Sequence, residues 1–372
     1  NDILYITDIY LNKGFANVKV NPLVNRNDTD HMMTITYSIV KGQPVYLNRI
    51  NISGNLKTRD KIIRREIKIN EQGLFSKEDI SKSYKNLNRL NYFAGIDIEP
   101  QKTSDENKMD LNVKVVEKQT GNLSFGGGYS SEDGAFFQGS VEERNLYGRG
   151  HNLKLSAKIA KETILYNIGF EEPYIFDSAV SGGFDLYKED IEYDYYDKDA
   201  LGIILKLGYR LWDYAGMGIQ YNIENFEISN VESTYTNMVP GSFLTSSIKP
   251  YMQYDSRDDF FLPTEGYRYK FSIEYAGEFL GGDFDYTKYL YETSIYFPLF
   301  WKFTGSLHGE AGYLDDRTSN NIDIDYITFY LGGIKSIRGF DKYDINGNQQ
   351  GDTKDRGGER YLQFNAELTF PF

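Results

Sequence analysis

The sequence predicts small α+β repeats followed by an all-β transmembrane barrel. Three observations carry that reading. A helix-and-strand pattern recurs at fixed spacing within the first 117 residues. Apolar and polar residues alternate almost continuously from Thr120 to the end. Aromatic residues make up 16% of the chain although its mean hydropathy is only −0.53. A barrel strand shows lipid one side chain in two, so a negative mean is compatible with a membrane protein of this kind.

The repeat is direct. Phe15-Ala16-Asn17-Val18-Lys19-Val20-Asn21-Pro22 returns 78 residues later as Phe93-Ala94-Gly95-Ile96-Asp97-Ile98-Glu99-Pro100. Met33–Lys41 is likewise echoed by Met109–Glu117. A fixed period with apolar positions in register marks a tandem structural unit. In the second copy a strand is expected at Val45–Ser53 and a helix from about Thr58 to Ile67. A second helix opens at Ser76, with Asp79 three residues after the cap. Ile80, Tyr84 and Leu87 lie on one face of it, and two strands of period two follow. The unit is therefore β-α-α-β-β. It is whole over residues 43–117, while residues 1–42 carry only the C-terminal half of another, which we read as a truncation. Neither copy carries a nucleophile, a carboxylate pair or a phosphate loop. Such modules serve as interaction arms, each offering a strand edge to an extended peptide.

Residues 118–372 form the barrel region. Segments of alternating character include Asn122–Tyr129, Phe137–Val141, Asn152–Ile159, Leu165–Phe170, Val180–Leu186, Ile203–Arg210, Met217–Ile223, Tyr267–Tyr275, Tyr289–Phe297, Phe303–Tyr313 and Tyr361–Phe370. A bilayer-crossing strand needs about 9–11 residues. In the last segment Leu362, Phe364, Ala366, Leu368 and Phe370 share one face; Tyr361, Gln363, Asn365, Glu367 and Thr369 share the other. Asp133–Phe136 and Glu172–Ala179 read as short connections, Asn225–Phe243 and Asp315–Tyr326 as long polar loops. A soluble β-sandwich is the rival, but Tyr and Phe at strand ends suit interfacial girdles. The first strand, Gly121–Tyr129, with Leu123, Phe125, Gly126, Gly127, Gly128 and Tyr129, contains three successive glycines that weaken a strand. They fit an edge that opens, or a bulge or tight bend in a closed barrel. Gly332–Gly358 is too long and too rich in Gly and Asp for a strand and reads as a loop. Were it to fold inward, Arg338 would need a carboxylate, and Glu367 is the acid available on the next strand.

Other chemistries are disfavoured. The chain has no Cys, only three His far apart in sequence, and no Gly-x-Ser-x-Gly elbow, so neither an enzyme nor a metal or cofactor site is expected. EF-hand spacing is absent from the Asp341–Asn348 run. Net charge is −13, with 18 Lys and Arg against 15 Asp and Glu in residues 1–117 and 23 against 39 thereafter. Nucleic-acid binding is not expected of such a surface, nor is a small-molecule substrate.

Three features together resemble the BamA family of outer-membrane assembly factors. The 75-residue repeats look like POTRA domains, with Leu87-Asn88-Arg89-Leu90-Asn91-Tyr92-Phe93 similar to the family's helix-end pattern. Tyr254-Asp255-Ser256-Arg257-Asp258, followed by Pro263 and Gly266, is similar to the surface-antigen barrel signature. Ile337-Arg338-Gly339-Phe340 is similar to the family's lumen-loop motif. The resemblance implies a non-enzymatic insertase in the cell outer membrane, its POTRA domains in the periplasm. Expected partners are unfolded outer-membrane proteins, accessory lipoproteins and outer-membrane lipid. It implies that the loop enters the lumen and that Arg338 pairs with Glu367, and it assigns Glu71, in the helix-end loop, to partner binding. By the same resemblance the barrel stops at about thirteen of the family's sixteen strands. Phe372 after an alternating aromatic strand looks like an outer-membrane terminal signal, but Pro371 before it is atypical, and truncation is the expectation. A two-partner-secretion or autotransporter-assembly translocon is the alternative; a passive diffusion pore would not need residues 1–117.

Overall fold

The computed structural model describes residues 2–27, 32–130, 134–193, 196–232, 239–259, 262–318, 327–333, 336–340, 345–347 and 357–370. Asp133, Tyr326, Asp341, Asn348, Pro371 and Phe372, drawn on above, lie outside these residues. The chain divides into two compact units, Asn1–Gly121 with Glu143–His151, and Asn122–Glu142 with Asn152–Phe372.

The first unit holds both repeats. The partial copy consists of α1 (Asp2–Leu11) and the antiparallel pair β1 (Lys19–Asn27) and β2 (Met32–Val40). The complete copy runs β3 (Tyr46–Ser53), α2 (Asp60–Arg64), α3 (Lys77–Leu90), β4 (Phe93–Lys102) and β5 (Lys108–Glu117). Its sheet has the order β3-β5-β4, with β3 parallel and β4 antiparallel to the central strand. Alternation on β5 buries Leu111, Val113 and Val115 against Leu47, Ile62, Ile63 and Leu87. α3 begins where the capping pattern places it: Ser76 Oγ accepts from the Asp79 amide at 3.1 Å. It ends at Asn91 in the left-handed region, φ 60°, which Asn tolerates better than most residues. α2 is shorter than the predicted Thr58–Ile67. Thr58 gives its amide to Glu117 at 2.6 Å and its hydroxyl accepts from Asn145 at 2.8 Å, which ties it to other elements rather than to a helical turn.

The second unit is one antiparallel meander. Its strands are β6 (Gly121–Ser130), β7 (Gly134–Leu146), β8 (His151–Ala160), β9 (Thr163–Glu172), β10 (Val180–Glu192), β11 (Asp197–Trp212), β12 (Ala215–Ser229), β13 (Gly241–Asp255), β14 (Gly266–Ala276), β15 (Tyr286–Pro298), β16 (Thr304–Asp316) and β17 (Arg360–Thr369). Each pairs with its neighbours in sequence, leaving β6 and β17 at the two edges. Twelve strands are found among the described residues, where the pattern suggested about thirteen. Residues 241–243, expected in a long loop, begin β13, whose Ser-rich face and Pro250 mask its alternation. Along β11 Leu201, Leu205, Leu207 and Tyr209 are exposed on one face, while Ala200 is buried on the other. Exposed rows of Leu, Tyr and Phe on the outer face, with charges opposite, are what a barrel wall in lipid requires.

Candidate functional site: the β16–β17 loop and its strands

Described residues of the loop between β16 and β17 meet β17 and its neighbours at three successive levels. At the upper end Ile327 and Phe329 pack onto a cluster of Ala200, Phe226, Phe284, Tyr286 and Leu314. Lys288 Nζ donates to the Ile327 carbonyl at 2.8 Å and sits 4.4 Å from the Phe329 ring centroid. Phe329 contacts Tyr361, with ring centroids 4.7 Å apart. Lower down, the Ser336 carbonyl accepts from Gln363 Nε2 at 3.2 Å and Asn365 Nδ2 at 2.9 Å. Lower again, Arg338 Nη2 stands 3.8 Å from Glu367 Oε1. The loop is closed on itself by the Ser336 hydroxyl, which bridges the amide and carbonyl of Gly332, and by the Gly333 amide on the Phe340 carbonyl. Ile337 is half-buried and Gly339 has φ +93°, a left-handed conformation suited to Gly.

The Arg338–Glu367 pair differs in character from the confined contact expected of it. The two side chains are 74% and 52% exposed, and 3.8 Å exceeds the 2.7–2.9 Å of a charge-assisted hydrogen bond. Gln363, at 3% exposure, is the residue the loop actually buries. Sequence reasoning placed Gln363 on the correct face but gave it no role, because an amide carries no charge to demand a partner.

The barrel signature shapes the β13–β14 turn. Arg257 grips Asp255 with two bonds, Nε to Oδ1 at 2.9 Å and Nη2 to Oδ2 at 2.7 Å. Asp258 Oδ1 accepts from the amides of Thr264 at 2.8 Å and Glu265 at 3.1 Å, and Oδ2 accepts from the Thr264 hydroxyl at 2.5 Å. The Thr264 hydroxyl, with the backbone amides, holds the Asp258 carboxyl well below the usual range against the opposing effect of burial. Pro263 sits within this turn. At Gly266, φ is +113° and a Cβ would meet the Ser256 carbonyl oxygen at 2.5 Å, so only Gly fits.

β6 presents Leu123, Phe125 and Tyr129 as exposed side chains. It is unbroken from Gly121 through Gly126, Gly127 and Gly128, and none of the three central glycines has positive φ. The run is thus extended strand and not a left-handed bulge. Glu71 is engaged inside its own module. Its Oε1 accepts from the Ile50 amide at 2.9 Å and faces Arg64 Nη1 at 3.4 Å.

Sequence reasoning did not find the ion-paired polar wall of the sheet. Glu224 joins Lys198 at 2.9 Å and the Tyr187 hydroxyl at 2.6 Å. Glu274 joins Lys249 at 3.3 Å and accepts from Ser247 and Tyr286, both at 3.0 Å. His308 lies between Ser294 at 2.9 Å and Glu310 at 3.0 Å. The signal was available: each member sits at alternate positions on adjacent strands, but choosing partners requires the register.

The sequence model described as the Omp85 superfamily domain matches residues 145–372, and the POTRA model, described as surface antigen variable number repeat, matches residues 45–118. The outer membrane protein assembly factor BamA of Nitratidesulfovibrio vulgaris is 30% identical over 99% of this chain and 47% of its own length. The sorting and assembly machinery component 50 homolog B of Xenopus laevis is 25% identical over 90% of this chain and 72% of its own. The chain spans about half the length of the bacterial relatives first matched. Among solved structures, BamA from Haemophilus ducreyi lacking POTRA domains 1–3 superposes with a TM-score of 0.76 at 21% identity, covering all of this chain and 76% of that one. CdiB from Escherichia coli superposes with a TM-score of 0.60 at 14% identity, covering 99% and 69%. A POTRA module leads into an antiparallel meander whose match to the superfamily domain covers more than half the residues, and the chain belongs to the Omp85 superfamily.

Proposed function

We propose that the chain is the barrel-proximal part of a non-enzymatic insertase that folds β-barrel proteins into the outer membrane, its POTRA modules in the periplasm. Unfolded outer-membrane proteins are its clients, and accessory lipoproteins and outer-membrane lipid its other partners. The observation that carries this reading is β6: a sheet-edge strand with an exposed apolar row and three extended glycines. An incoming strand must keep its backbone groups bonded in hydrocarbon, since each unsatisfied group costs several kcal/mol. An edge that pairs weakly can serve as its template, turning insertion into strand addition. The similarity to proteins named as assembly factors supports the same reading.

The test is disulfide trapping in the complete protein during assembly. Cys placed along Gly121–Tyr129, on a background with no native Cys, should cross-link to Cys in a client's terminal strand at every second position. Absence of cross-links at every position would remove the templating step. Cross-links instead to a passing, unfolded passenger, with no register, would favour a two-partner-secretion or autotransporter-assembly translocon.

A further inference from the structure

The two outer edges of the complete POTRA sheet are not alike. β4 has β5 on one side and no strand on the other among the described residues. The outer edge of β3 is closed from Val45 to Ile50, first by backbone and then by side chains. The Phe75 amide donates to the Val45 carbonyl at 2.9 Å. Leu47 pairs twice, its amide to the Gly73 carbonyl at 2.9 Å and its carbonyl to the Gln72 amide at 2.8 Å. Beyond Leu47 the covering segment turns away, and side chains take over. Gln72 Nε2 reaches the Asn48 carbonyl at 3.3 Å. Glu71 Oε1 accepts from the Ile50 amide at 2.9 Å, and Arg64 Nη2 donates to the Ile50 carbonyl at 3.3 Å. A carboxylate oxygen and a guanidinium N–H therefore stand where the carbonyl and amide of an added strand would stand. Asp60 holds Arg64 in place through Nε at 3.1 Å and Nη2 at 3.3 Å.

We propose that Arg64 and Glu71 are a side-chain plug that closes the β3 edge to strand addition, and that its removal lets β3 pair with β3 of a second copy of this chain. An uncovered edge carries unpaired donors and acceptors that template another strand. A second copy offers the identical edge, which pairs with itself about a two-fold axis. The proposal does not rest on the proposed function, and it gives Glu71 a positioning role within its own module.

The experiment uses the full chain in detergent micelles, with Arg64→Ala/Glu71→Ala compared with Glu71→Gln. Single Cys residues are scanned from Arg49 to Ser53 on the Cys-free background. In the double variant the Ile50 amide should exchange about tenfold faster or more, as expected for a lost hydrogen bond to a charged acceptor. Oxidation should trap a disulfide dimer at one position of the scan, the residue nearest the two-fold axis, and fall away on either side of it. Glu71→Gln keeps an acceptor oxygen for Ile50 and should remain monomeric, with a smaller rise in exchange. Unchanged Ile50 exchange in the double variant would overturn the plug, and faster exchange with no dimer at any scanned position would overturn the pairing with a second copy. If that variant loses protection at Val113 and Val115 as well, the fold has failed and Glu71→Met alone, which removes the acceptor of the Ile50 amide, decides. Faster exchange at Ile50 with Val113 and Val115 still protected supports the plug; wild-type exchange overturns it.

Discussion

Ser336 and Asn365 are joined by a 2.9 Å hydrogen bond, and two residues further along both segments Arg338 and Glu367 meet at 3.8 Å. The loop and β17 thus keep a common spacing of 29 residues, so the loop follows the strand instead of touching it once. The neutral contacts are the shorter and the better buried. Gln363 and Asn365 give the loop its anchor, and the exposed ion pair extends it.

That ordering sets the first prediction. Arg338→Ala should cost about 0–1 kcal/mol, the range for exposed bridges, and not the larger amount that a confined pair would give. Gln363→Ala with Asn365→Ala removes both side-chain donors to the Ser336 carbonyl and should cost about 1–3 kcal/mol. Denaturant unfolding in detergent ranks the two, and proteolysis between residues 327 and 340 should accelerate more in the second.

Gly266→Ala should be strongly disruptive. A side chain at φ +113° would be strained and would strike the Ser256 carbonyl. The backbone strain alone is of order 1–3 kcal/mol, before the clash. Folding yield, read as the heat-sensitive shift of the barrel band on a semi-native gel, should fall sharply. Retained yield would show that the β13–β14 turn tolerates another conformation.

Asp258 gives a pH dependence whose sign is fixed. Its carboxyl is held below the unfolded value of about 3.9, so the bonds to Thr264 and Glu265 stabilise the turn fully above that pH. The contribution is lost as pH falls below about 3.9 toward the folded value. Asp258→Asn should be less stable than wild type at neutral pH, and the gap should close on acidification. A gap that widens at low pH would contradict the assignment.

The glycines of β6 separate into two kinds. Space around Gly126 is open, whereas a Cβ at Gly127 or Gly128 would approach the rings of Phe137 and Phe136 at 3.0 Å. Gly126→Ala should stabilise the barrel by about 0.5–1 kcal/mol by relieving the entropy cost of Gly in a strand, while Gly127→Ala should not. Thermal unfolding checks this. If a yielding β6 is what clients use, Gly126→Ala should also slow client assembly despite the gain in stability.

Local periodicity made much of the fold legible. Alternation over Leu362–Phe370 fixed which side chains face outward, and Leu362, Phe364 and Leu368 are indeed exposed while Gln363 is buried. The capping pattern at Ser76 located α3, and the repeat at 78 residues located the second module. These features are encoded by neighbours within a few positions, because side-chain direction in a helix or strand follows from backbone geometry alone. Partner choice is not local. That Glu71 would turn back to the Ile50 amide, that Arg338 would meet Glu367 in an exposed setting, and that residues 241–243 would begin a strand all depend on contacts across 13 to 29 residues. Each depends on which loop covers which edge, a competition decided only when the sheet is assembled and every backbone group must find a partner. The sequence by itself determined most of the elements and, where alternation is clean as in β17, the two faces of the strand. The tertiary structure decided which polar groups are closed off from water and which remain free to act.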